Sequence, residues 1–144
     1  MPSASHSATV RRPRAAVFAF VADGENAGRW RPGVLDASRV SGEGVGAVYR
    51  QGVKGPGGRR IAADYEVTAY EPSARLAFKT IAGPIRPTGE FRFEEAGEGT
   101  KVTLSLDAEL SGIKKLLMGG AVQKTMEAEV KATENLERAM DGAD

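Results

Sequence analysis

Cysteine is absent from the 144 residues, which excludes disulfides, cysteine zinc sites, thiolate nucleophiles and iron–sulfur ligation together. Histidine occurs once, as His6, so a multi-histidine metal centre is ruled out and a Ser-His-Asp arrangement would hang on one residue near the N-terminus. An excess of one charge is missing as well: 20 Lys and Arg against 19 Asp and Glu leave +1, far from the basic surplus of a duplex-binding surface. No run approaches the roughly 20 apolar residues of a membrane span. The opening residues MPSASHSATVRRPR carry no apolar stretch after their charges. These absences set the expectation of a cytoplasmic protein with no integral membrane association, no nucleic-acid partner, no metal and no cofactor.

What is present is an ordinary globular composition, 41% hydrophobic and 27% charged, sufficient to bury a core. The length fits one domain over residues 1–144. His6, Ala8 and Val10 alternate with Ser5, Ser7 and Thr9, which predicts a strand over 3–10. Pro13 suits a first helical turn, and the apolar run 15–21 behind it predicts a short buried helix ending near Asp23-Gly24. Residues 26–30 form another helical turn, stopped by Pro32-Gly33.

From Val34 to Leu110 short alternating runs are separated by turn residues, the pattern of an antiparallel meander. Strands are expected near 34–41, 46–53, 59–70, 75–81, 87–95 and 100–110. From Ser111 to Met140 there is no proline, and Met118, Val122, Met126, Val130, Thr133, Leu136 and Met140 recur near helical spacing, which predicts one long helix. Glu127 with Lys131 and Glu134 with Arg138 stand as i,i+4 pairs on its outer face. The fold class that follows is α+β: a curved antiparallel sheet of about six to seven strands wrapped around a long C-terminal helix, with short helices after the first strand. One helix does not fill a concave sheet face, so a cavity between them is expected.

The motifs that carry a resemblance are spread along the chain. They are residues 10–18 (VRRPRAAVF) before a helix, Trp30-Arg31-Pro32-Gly33 after it and residues 42–46 (GEGVG) between strands. Residues 65–72 (YEVTAYEP), 75–78 (RLAF) and 99–104 (GTKVTL) follow. In this order they make the chain resemble the START-like or SRPBCC superfamily with its helix-grip fold, which includes polyketide cyclase/dehydrase and lipid-transport proteins. The resemblance implies a cavity for a small hydrophobic or lipid-like ligand between the sheet and the C-terminal helix. Some relatives catalyse cyclisation or dehydration, others only carry ligands, and one branch regulates a chaperone through surface contact. Fold alone does not choose among them.

Side-chain alternation defines a concave face whose residues touch either a ligand or only the helix. Phe91 and Phe93 project from one strand face, Leu76 and Phe78 from the next, and Val102, Leu104 and Leu106 from a third. Trp30, the sole tryptophan, is either a ligand platform or an anchor for the short helix. Tyr49, Tyr65 and Met126 complete the candidate set. Asp64 and Glu66 are solvated if Tyr65 and Val67 point inward, and one of them is a general base if they do not. Arg50 either orients a ligand oxyanion from inside or lies exposed. No catalytic set is apparent. Gly42, Gly44 and Gly46 match no phosphate-binding spacing and read as a tight connection. Lys54, Arg59 and Arg60 around Gly55–Gly58 read as a basic hairpin tip. Gly119-Gly120 either lets the helix bend or a ligand approach, or forms a joint before a helix that begins at Ala121.

Overall fold

Ala4, His6, Ala8 and Val10 alternate with exposed Ser3, Ser5, Ser7 and Thr9 along β1 (Ser3–Val10), so the strand lays one half-buried face on the interior. The computed structural model describes residues 3–110 and 112–142, with the backbone alone over 113–118. Ser111 and the Met118 side chain, both part of the expected helix, lie outside the described residues. After β1 the chain forms α1 (Arg14–Ala22), which buries Val17, Phe18 and Val21. The Asp23 carboxylate then accepts from the backbone N–H of Glu25 at 3.1 Å, starting a 3₁₀ turn over Gly24–Asn26 that runs into α2 (Ala27–Trp30).

The meander follows as β2 (Val34–Ser41), β3 (Val48–Lys54), β4 (Arg60–Ala62), β5 (Tyr65–Glu71), β6 (Arg75–Thr80), β7 (Thr88–Ala96) and β8 (Gly99–Asp107). The strand order is β1-β8-β7-β6-β5-β3-β2, all antiparallel, with three-residue β4 pairing β3 beside this path. Seven strands thus form the continuous sheet, and the first strand closes against the last. The single expected strand over 59–70 divides into β4 and β5. Its break at Ala63-Asp64 has a chemical cause: the Asp64 carboxylate accepts from the Gln51 backbone N–H, and Gln51 Nε2 donates to the Ala63 carbonyl. These side-chain bonds stand beside the backbone bonds from Ala63 N–H to the Gln51 carbonyl and from Ile81 N–H to the Asp64 carbonyl. The turn between β2 and β3 holds Gly42, Gly44 and Gly46 at φ of 76°, 62° and 90°, a left-handed path that side chains resist.

The C-terminal segment runs as α3 (Ile113–Lys131), a 3₁₀ turn over Ala132–Asn135 and α4 (Leu136–Asp141). The tightening has named partners, since buried Thr133 donates its hydroxyl to the Val130 carbonyl and Asn135 Nδ2 donates to the Trp30 carbonyl. Val122, Met126, Val130, Leu136 and Met140 bury the inner stripe against Val10, Val102, Leu104 and Leu106. The outer-face pairs expected within the helix are replaced by other partners. Glu134 reaches across to His6 at 2.6 Å and Glu127 accepts from Gln123. Arg138 donates to Asn135 instead. With Arg11–Glu137 at 3.0 Å and the Arg12–Asp141 pair, these charges sew β1 to the helix.

Candidate functional site

Where β3, β5, β6 and β7 run side by side, their inward side chains meet the segment from α1 to α2. The register sets Leu76 opposite Phe91 and Phe78 opposite Gly89. Gly89 leaves room for the Phe78 ring, which lies where a Cβ would otherwise stand. Above this floor sits Trp30, 4% exposed and edge-on to Phe91 with centroids 5.9 Å apart at 68°. Tyr65 leans on Phe78 at 5.5 Å, and Tyr49 stacks on Tyr65 at 5.1 Å and 12°. Between them is a cavity of about 30 Å³ lined by Trp30, Tyr65, Phe78 and Phe91 together with Arg31 and Gln51. That is room for about one water.

Five of the candidate residues therefore come together: Trp30, Tyr65, Leu76, Phe78 and Phe91. Tyr49 stands behind Tyr65, its hydroxyl donating to the Ala22 carbonyl at 3.4 Å. Phe93, Leu104 and Met126 are packed in the core and are not among the residues lining this cavity. Phe93 is instead held edge-on to Phe18 at 5.2 Å. Arg50 is exposed. Asp64 is committed to the Gln51 backbone, and Glu66 lies on the outer face beside Lys79.

Polar chemistry enters the cavity from residues that were not candidates. Arg31, the residue after α2, donates from Nε to Glu129 of α3 at 2.8 Å and from Nη1 to Gln51 Oε1 at 3.0 Å. Both ions of the Arg31–Glu129 pair are about four-fifths buried. The alternation that turns Tyr49 inward also turns Gln51 inward, so period two was a signal for that residue. Nothing local marks Arg31 or Glu129, which are 98 positions apart. The Tyr65 hydroxyl lies against Gly24 and makes no hydrogen bond among the described residues. Burial pushes its phenol well above the ordinary value, with Arg31 opposing and Asp23 adding to the shift. Tyr65 therefore stays protonated and can donate. Desolvation also raises Tyr49.

A curled antiparallel sheet gripping a long C-terminal helix over an aromatic hollow is the architecture of the START-like, helix-grip proteins, a hydrophobic-ligand-binding fold. Within it, the chain belongs to the polyketide cyclase/dehydrase and lipid transport family, whose model matches residues 1–141. Among solved structures it is similar to TTHA0849 from Thermus thermophilus, with 25% identity over 99% of each chain and a TM-score of 0.85. A START superfamily protein from Mycobacterium smegmatis aligns at 17% identity over 96% of this chain and 98% of that one, TM-score 0.72. The di-domain ARO/CYC StfQ from the steffimycin biosynthetic pathway aligns at 13% identity and a TM-score of 0.79, covering 98% of this chain and 51% of StfQ. No curated protein matches the sequence. No described helix is long and apolar enough to cross a membrane.

Proposed function

We propose that the protein binds a small hydrophobic molecule in the Trp30–Tyr65–Phe78–Phe91 hollow and carries it unchanged, acting as one ligand-binding unit over residues 1–144. The observation that carries this reading is the wall itself: four aromatic rings converge on one cavity beside a single donor hydroxyl, the mixture of apolar surface and sparse polar groups that small-molecule sites use. Ligand sites of this kind span roughly 300–1,000 Å³, so a cavity of about 30 Å³ requires the walls to part. The floor is a hydrogen-bonded sheet and resists. The roof is a 3₁₀ turn and a four-residue helix, a short segment outside the sheet ladder and the part best able to yield. Native mass spectrometry of freshly purified protein, followed by denaturing extraction, tests the reading. A stoichiometric apolar molecule is expected, and the Phe78→Trp variant, which fills the hollow, should lose it. Retention of the same molecule by that variant would sink the proposed location.

A second reading, cyclase or dehydratase chemistry on such a ligand, is favoured by one observation. The Tyr65 hydroxyl, without a hydrogen bond among the described residues and kept protonated by burial, is placed to donate to a carbonyl oxygen as negative charge develops there. Under this reading Tyr65→Phe abolishes turnover of a polyketone-type substrate while binding remains measurable. Full turnover by the variant would exclude Tyr65 from the chemistry.

A further inference from the structure

We propose that this hollow, taken as the ligand site above, selects neutral aromatic ligands bearing an acceptor oxygen and rejects ligands with a carboxylate head, because Glu129 already holds Arg31, the cation on its wall. A guanidinium beside an apolar cavity would ordinarily invite a carboxylate, through its fork of donors. Here Arg31 is already engaged, with Nε on Glu129 at 2.8 Å and Nη1 on Gln51 at 3.0 Å. Gln51 cannot turn to offer its own amide, since Nε2 is donated to the Ala63 carbonyl at 3.2 Å.

The surroundings add to the exclusion. Asp64 accepts from the Gln51 backbone, and the charge of Asp23 is felt at Tyr65. Arg31 is thus already paired with Glu129 in a buried setting, and a further anion would have to compete with that carboxylate for it. Rejection by an unpaired charge is a general route to specificity. The Tyr65 hydroxyl is different, a donor on the cavity wall with no hydrogen bond among the described residues. A ketone, quinone or aryl ether oxygen satisfies it without bringing a charge. The aromatic walls at Trp30, Phe78 and Phe91 favour a flat partner by offset and edge-on contact.

Three matched probes on one ring system test this: 2-acetylnaphthalene, 2-naphthoate and naphthalene, titrated into the full chain by calorimetry with quenching of Trp30 as a second readout. The wild-type protein is expected to bind the ketone at least about tenfold more tightly than the carboxylate. Glu129→Gln, which frees the Arg31 charge, should raise naphthoate affinity at least about tenfold and leave the ketone within about threefold. Tyr65→Phe should weaken the ketone several-fold and leave naphthalene unchanged. Circular dichroism identifies any variant that fails to fold, and the wild-type comparison of ketone with carboxylate stands without variants. Naphthoate bound as tightly as the ketone, or an unchanged ratio in Glu129→Gln, overturns the selectivity and leaves the hydrophobic site standing. Failure of all three probes to bind the wild type overturns the site and the selectivity together.

Discussion

At Gly24 the chain has no side chain because two tyrosines hold the space. A methyl there would overlap the Tyr65 hydroxyl and stand 2.7 Å from the Tyr49 ring, and the stack of those rings leaves Tyr65 little freedom to retreat. Overpacking of this kind costs about 1–3 kcal/mol. Gly24→Ala is therefore expected to lower the unfolding free energy by that amount, read as a lower denaturant midpoint, and to change the Trp30 emission spectrum, since Trp30 shares the cavity. A midpoint equal to that of the wild type would show that the tyrosines move aside freely. Nothing in the sequence around Gly24 announces this role, because the atoms that demand it come from Tyr49 and Tyr65. Trp30, Tyr65, Phe78 and Phe91 were legible, since strand alternation and one isolated tryptophan are local signals. Arg31 and Glu129 were not, because an ion pair is a property of two distant positions.

Among the elements, α3 carries the clearest unsatisfied preference. It runs without a break through Gly119 and Gly120, and a Cβ at either position would meet nothing within 4 Å. The helix does not begin at Ala121, and no close approach to the described residues requires either glycine. Gly119→Ala and Gly120→Ala are each expected to stabilise the protein by about 0.5–1 kcal/mol, read as a higher denaturant midpoint with an unchanged slope. A lower midpoint in either variant would mean that the glycines permit a bend the protein uses. In β5 the pairing slips between Val67 and Ala69, a bulge that leaves Thr68 extra. Tyr65 and Val67 line the hollow before it. After it Tyr70, opposite Leu76, meets Phe18 edge-on at 5.1 Å. Alternation read straight through residues 65–70 assigns Tyr70 to the other face, and the slip is invisible in sequence because it is set by the partner strand.

For the molecule as a whole, stability is tied to carboxylates held by arginines. Hydrogen bonding to Arg11 holds Glu137 below the ordinary carboxylate range, as Arg75 does for Glu90 and Arg60 for Asp36. A carboxyl group whose value is depressed on folding stabilises the native state above its unfolded value and loses that contribution as the pH falls through the folded one. The thermal midpoint is therefore expected to fall on acidification below about pH 4, with the seam between β1 and α4 affected through Arg11–Glu137. Salt should weaken the exposed pairs at neutral pH. A midpoint that stays level from about pH 5 to about pH 3 would refute the assignment of stability to these pairs.

Composition and periodicity by themselves determined the class of architecture. The alternating runs from β2 to β8 specify an antiparallel meander, and the apolar stripe from Val122 to Met140 specifies a helix that must lie on it, because each pattern records which face of a single element leaves water. Only the tertiary structure decided the dimensions and polarity of the hollow. The ladder break at Asp64, the slip at Thr68, the Gly24–Tyr65 contact and the Arg31–Glu129 pair all depend on groups far apart in the chain. The physical reason is that burial pattern belongs to one residue and its neighbours, whereas a cavity is what several elements leave unfilled once they have packed.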